Sequence, residues 1–331
     1  MASPEPTAAA ADRADPARRL TSTDVFCAVL LLAVLARLTL PRVWSEPGVQ
    51  AWTTVFAALC IQAAPYLVLG VTVSTLIAVL VPPSFFARVL PARPALAVPV
   101  AGLAGVALPG CECGSVPVAA SLMRRGVAAA PAVAFLLAAP AINPVVLVAT
   151  SVAFPGRPEM VLGRFLASLL TALVVGWLWL RWGRTPPLPA RYAAPAGSGR
   201  LERARATAAH DLAQSLGLLT VGAAAAATVN VALPSSWLDG VAGHAVAGVV
   251  ALALLAVVVA VCSEADAFVA SSFVRFSPTA QLAFMTVGPA VDVKLIAMQV
   301  GTFGARVAVR LAPLAFAVAV GSAVLVGWWV T

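Results

Sequence analysis

The fold this sequence predicts is an all-α polytopic membrane protein: two homologous inverted repeats with broken or re-entrant helices, plus one extra N-terminal transmembrane helix. Three observations predict it. Hydrophobic residues make up 61% and charged residues 10% of the 331 positions, and the mean hydropathy is +0.98. One soluble core cannot absorb that much apolar surface, and the apolar runs recur at lengths suited to a bilayer. The runs are also interrupted from within. Pro109-Gly110-Cys111-Glu112-Cys113-Gly114-Ser115-Val116-Pro117 sets two thiols, a carboxylate, two glycines and two prolines inside a stretch that would otherwise be plain helix, so backbone and chemistry break together. Third, the chain repeats itself. Moved back by 149 positions, the second half lays Cys262 on Cys113, Ala283-Phe284 on Ala134-Phe135, Pro289-Ala290 on Pro140-Ala141 and Asp292 on Asn143. Upstream, an offset of 152 lays Gly222 on Gly70 and Pro234 on Pro82.

Residues 1–20 are rich in Ala, Pro and charge and lack the apolar core and cleavage site of a signal peptide, so they read as a disordered tail. Residues 21–45 hold the extra transmembrane helix. The first repeat, 46–182, opens with a long helix over about 50 to 81 that carries Pro65 and stops at Pro82-Pro83. Ala95 to Leu108 is too short to cross alone at about 1.5 Å per residue, and leads into the Pro109–Pro117 break. A short helix from Ser115 ends at Arg124-Arg125-Gly126. The next apolar run, Val127 to Phe154, is broken by Pro140-Ala141-Ile142-Asn143-Pro144. Glu159 to Trp182 is an unbroken span with Trp177, Trp179 and Trp182 placed as interfacial anchors. A cytoplasmic linker, 183–205, joins it to the second repeat, 206–331.

Arginines set the orientation. The net charge of +8 comes from loops, and no aromatic-interleaved basic patch points to nucleic acid. If every segment crossed, the Arg-rich linker and tail would lie on opposite sides. Letting Ala95–Arg125 return to its own side as a re-entrant hairpin puts Arg88, Arg93, Arg124, Arg125 and the linker inside and the Arg-poor 234–246 loop outside, which inverts the halves. Arg157 and Arg275 are left on the wrong side. Discontinuous helices of inverted repeats meet near the midplane of secondary transporters, where unwound backbone lines a cavity rather than facing lipid. A multi-pass protein of the cell inner (plasma) membrane, and not an enzyme, is therefore expected.

Five cysteines, with Cys111, Cys113 and Cys262 beside the breaks, argue against a disulfide framework and for free thiols or soft-ligand sites. Thiolates suit soft ions and thiophilic metalloids, whereas a hard cation needs an oxygen cage that this sequence lacks. Cys113 and Cys262 precede expected helix starts at Ser115 and Ser263, so a helix N-terminus would face each sulfur. Their matched positions would bring them together at the repeat interface. These two are the first substrate-binding candidates. Cys111, whose counterpart is Ala260, comes next, with Asn143 and Asp292 lining the same cavity. The alternative is packing, since a buried cysteine is also a small hydrophobe; Cys27 and Cys60, in ordinary helix, read as structural. Intramembrane charge is costly, which makes Glu264, Glu112, Asp266 and Lys294 coupling or proton candidates. They have structural alternatives too: Ser263-x-x-Asp266 has capping-box form, Asp292 and Lys294 would neutralise each other, and Asn143 would cap broken backbone. Glu264 has no evident partner.

Four motifs stand in fixed order: Cys111-x-Cys113-Gly114-x-x-Pro117; Ala134-Phe135-Leu136-x-x-x-Pro140-Ala141-Ile142-Asn143-Pro144; Cys262-Ser263-x-Ala265-Asp266-Ala267-Phe268; and Ala283-Phe284-x-x-x-Gly288-Pro289-x-x-Asp292-x-Lys294. Together they resemble the predicted permease family that includes the organoarsenical efflux (ArsP-like) permeases, over nearly everything after the first helix. The resemblance implies efflux of a thiophilic small solute such as methylated trivalent arsenic. Glu112 departs from the small or polar neutral residue expected between the two cysteines. Two other readings stay open: a permease for another anion, metal or metabolite with structural cysteines, and a membrane thiol oxidoreductase using Cys111 and Cys113. A break in each half favours transport over redox chemistry. Without a P-loop, energy comes from ion gradients, a partner or the cargo's own gradient. The expected partners are a small-molecule or metalloid substrate and the lipid bilayer, with no nucleic acid, no cofactor and no resident metal; proton or ion coupling and a homo-oligomer stay open.

Overall fold

The computed structural model describes residues 46–80, 85, 89–107, 111–183, 200–232 and 244–330. The tail, the extra helix with Cys27, Pro82-Pro83, Pro109-Gly110 and most of the linker lie outside the described residues. Regular structure among the described residues is helical: α1 (Pro47–Leu80), α2 (Pro94–Ala104), α3 (Glu112–Arg124), α4 (Ala129–Ile142), α5 (Pro144–Ala153), α6 (Pro158–Trp182), α7 (Arg200–Ala232), α8 (Ala245–Val259), α9 (Asp266–Ser272), α10 (Pro278–Ala290), α11 (Val293–Phe303) and α12 (Ala305–Val330). Among the described residues, five stretches are long and apolar enough to cross a membrane: α1, α4 with α5, α6, α10 with α11, and α12. With its following 3-10 turn, α2 spans Pro94–Ala107, about 21 Å against a hydrocarbon core of about 30 Å.

The two broken stretches form the centre. Every residue from Ala130 to Ile142 in α4 and from Ala280 to Ala290 in α10 is buried. Around α4 lie α2, α3 and α6; around α10 lie α8, α9 and α12; and the two central helices touch each other. The alanines of α4 let its neighbours approach closely, which is how helices associate where lipid removes the hydrophobic drive. Ile61, Val221, Val246 and Val309 on the outer helices are exposed, as lipid-facing residues are.

Prolines shape the elements without always ending them. Pro99 has no N–H for the carbonyl of Ala95, and Trp177 Nε1 donates to that carbonyl instead (2.9 Å). Trp177 is thus tied to α2, Trp179 is buried and Trp182 is exposed. The break expected from Pro140 onward narrows to Asn143, because α4 runs on through Pro140 to Ile142; a proline in the last turn forfeits only one bond to the residue four earlier. Asn143 stitches the break. Its Oδ1 accepts from Val146 N (3.1 Å) and its Nδ2 donates to the Ala139 carbonyl (2.9 Å), with Pro144 at the first position of α5. In the other stretch, Asp292 Oδ1 accepts from Leu295 N (2.5 Å) and caps α11.

Glycines bring long helices onto the short ones. A Cβ on Gly70 of α1 would lie 2.5 Å from the Gly114 Cα of α3, and one on Gly222 of α7 would lie 2.9 Å from the Lys294 Cα of α11. Both contacts are backbone to backbone, and they pin the segments carrying Cys113 and Lys294.

Candidate functional site

Cys111 is the N-cap of α3, with extended backbone (φ −84°, ψ 178°). Cys113 sits in the first turn of α3, and Cys262 in the turn between α8 and α9. All three are fully buried. The Cys111 thiol neighbours the thiols of both Cys113 and Cys262, so it stands between the pair picked out by the repeat. The helix starts differ from expectation. Helix α3 begins at Glu112, whose carboxylate suits the positive end of the helix. Helix α9 begins only at Asp266, after a turn in which Asp266 N donates to the Cys262 carbonyl (3.0 Å). Cys111, rather than Cys113, therefore occupies a helix entrance.

A buried charge network surrounds the thiols. Lys294 Nζ lies 2.5 Å from Glu112 Oε1 and 3.9 Å from Asp292 Oδ2. It also lies 3.7 Å from Cys262 Sγ and 3.4 Å from the Ala260 carbonyl. Ser263 Oγ donates to Glu112 Oε2 (3.0 Å). Thus Lys294 pairs first with Glu112, and Asp292 serves the backbone of α11. The reason is geometric: residues two apart at a helix start point to different sides. Ala260 ends α8 in the left-handed region (φ 51°), which turns its carbonyl back toward the cluster; a non-glycine residue there is uncommon and marks a constrained site.

Asp266 is not the cap of α9, whose N-cap is Ala265. It is held by Arg164 of α6. Arg164 Nη1 donates to Asp266 Oδ1 (2.7 Å) and to Thr150 Oγ1 (3.0 Å), while Nη2 donates to Asp266 Oδ2 (2.8 Å) and to the Ser263 carbonyl (3.0 Å). This bidentate fork spans 102 residues of sequence and exploits guanidinium geometry that lysine lacks. Glu264, in the same turn, has both carboxyl oxygens shut from solvent and without a hydrogen-bond partner.

A sequence profile described as a predicted permease matches residues 49–328. The chain belongs to the predicted permease family. The permease is 33% identical over 262 residues to UPF0718 protein YcgR of Bacillus subtilis (strain 168), covering 76% of this chain and 89% of that protein. It is 28% identical over 258 residues to a Streptococcus mutans serotype c (strain ATCC 700610 / UA159) protein bearing the name two-component membrane permease complex subunit, covering 75% of this chain and 86% of the relative. No solved structure matches the permease. Family and spans together make it a multi-pass membrane protein.

Arg164 and Thr150 are the permease residues that motif reading passed over, while Ser263, read as a helix start and cap, donates instead to Glu112. Arg164 carried a usable signal, since an arginine inside an apolar span is rare and seldom idle. Chemically, the cluster offers soft donors beside fixed positive charge. Ligand atoms of Cys111, Glu112 and Cys113 all lie within 4.8 Å of one another, a spacing that a soft cation or a trivalent metalloid could bridge as cargo.

Proposed function

We propose that the permease exports a small thiophilic solute, with trivalent organoarsenicals as the first class to test, through a site where two inverted halves of an inner-membrane protein meet. One observation carries the reading: Cys111 of the first half adjoins both Cys113 of its own half and Cys262 of the second. Packing supports two related halves. Helix α4 lies on α2 and α6 as α10 lies on α8 and α12; α3 touches α11 as α9 touches α5; and α1–α7, α4–α10 and α6–α12 each pack as pairs. Asn143 and Asp292, 149 residues apart in the sequence, cap α5 and α11 alike.

The test is accumulation in cells stripped of their own efflux systems. Cells making the permease are expected to hold less methylarsenite, with a smaller effect on arsenite, because an apolar surround lowers the cost of burying a methyl group and leaves fewer places for a third ligand. Cys111→Ser, Cys113→Ser and Cys262→Ser should each remove most of the protection at unchanged membrane levels. The Cys113/Cys262 double variant should be no worse than either single, since groups acting as one unit are not additive. Cys60→Ser should match the parent. Equal protection against both arsenicals, or full transport by the three thiol variants, overturns the reading.

The orientation has its own check. A reporter fused after Arg205 should be cytoplasmic and one at Asp239, outside the described residues, external; both on one side would rule out inverted halves.

A further inference from the structure

Four carboxyl groups gather at the paired breaks, and three are accounted for. Glu112 holds Lys294 and accepts from Ser263, Asp266 holds Arg164, and Asp292 caps α11. Glu264 has no such partner. The groups that face it are Glu112 from α3, Asp266 from its own turn, Lys294 from α11 and Tyr66 from α1. Arg164 of α6 is engaged by Asp266, and Ala223 and Ala226 of α7 share an apolar cluster with Ala260.

Charge counting decides the protonation state. Two cations, Arg164 and Lys294, face four carboxyls, so full ionisation would leave excess negative charge at membrane depth. The excess falls most heavily where no donor compensates for lost water, and that place is Glu264. Val261, Glu264 and Ala265 are partly exposed between buried Cys262, Ser263 and Asp266, so the turn lies at the edge of the buried cluster, although the two Glu264 carboxyl oxygens are themselves covered.

We propose that Glu264 is the proton carrier of the permease: neutral in the state described here, it gives its proton to water on one side of the membrane and takes one up on the other, coupling cargo movement to a proton gradient. In each cycle one O–H bond breaks at the Glu264 carboxyl and its proton leaves to water. Lys294, held by Glu112, is the cation that the ionised carboxylate would draw, leaving Glu112 on the Ser263 hydroxyl. The proposal rests on the permease reading but not on which cargo is carried.

Two measurements on the full-length protein test it. Infrared spectra of the permease in lipid nanodiscs should contain a protonated-carboxyl C=O band that titrates with pH and is lost in Glu264→Gln, while Glu264→Asp keeps a shifted band. A band unchanged in Glu264→Gln overturns the proposal whatever the cargo. In proteoliposomes with methylarsenite as probe, an imposed pH gradient should accelerate transport by the parent and by Glu264→Asp, and Glu264→Gln should lose that response while still exchanging methylarsenite. Parent transport indifferent to the gradient overturns proton coupling and leaves the cargo reading standing. A titrating Glu264 band with no methylarsenite transport supports the carrier and overturns the cargo.

Discussion

Arg164→Ala is expected to be among the most damaging single substitutions, lowering stability by about 3–5 kcal/mol, because it leaves Asp266 buried without its counter-charge. Arg164 is 0% exposed and supplies four hydrogen bonds, to Asp266, Thr150 and the Ser263 carbonyl. Its loss therefore strips the Cys262–Asp266 turn as well as one carboxylate. Asp266→Ala should be comparably harmful, for the mirror reason. The Arg164→Met/Asp266→Leu double variant should recover most of the stability, since replacing both members of a buried pair by apolar groups is often neutral or better. Thermal unfolding of the detergent-solubilised protein checks this; a double variant as unstable as the single ones would show that the pair does more than neutralise itself.

Lys294→Met is the second large effect. It removes the partner of Glu112 at 2.5 Å and leaves Asp292 and Cys262 facing an apolar side chain. A stability loss of about 3–5 kcal/mol is expected from the stranded charge. Adding Glu112→Gln should restore much of it. Transport should stay lost in the restored double variant, because the ammonium that lies 3.7 Å from Cys262 Sγ is then missing from the thiol cluster that would hold the cargo. Normal transport of a thiophilic solute by the Lys294→Met/Glu112→Gln double variant would remove Lys294 from the site's chemistry and leave it a structural ion.

The helix breaks were legible because Gly, Pro and Asn mark backbone that leaves the helical path, and Asn143 and Asp292 stand where broken helices need caps. The place of Cys111 was harder to see. Matching one half against the other set it opposite Ala260 and so discounted it, yet the two residues serve the cluster differently: Cys111 through its thiol and Ala260 through a carbonyl turned inward by left-handed backbone. The choice of Glu112 over Asp292 as the partner of Lys294 lay beyond local sequence, since it depends on how α3 docks against α11. Arg164 was hidden by a span that reads as uniformly apolar when only its average is considered, although a single guanidinium at that depth needs a partner from elsewhere in the chain.

The Arg164–Asp266 fork also sets a schedule for making the protein. Arg164 is synthesised 102 residues before Asp266, and at about 5–20 residues per second the interval is about 5–20 s. For that interval α6 carries an arginine whose carboxylate does not yet exist. Its guanidinium has to reach water or a lipid phosphate, as long cationic side chains do, so α6 cannot settle at its final depth until α9 arrives. The first half is thus delivered unfinished, and a ribosome stalled between α6 and α9 would leave an arginine-bearing helix poised for degradation.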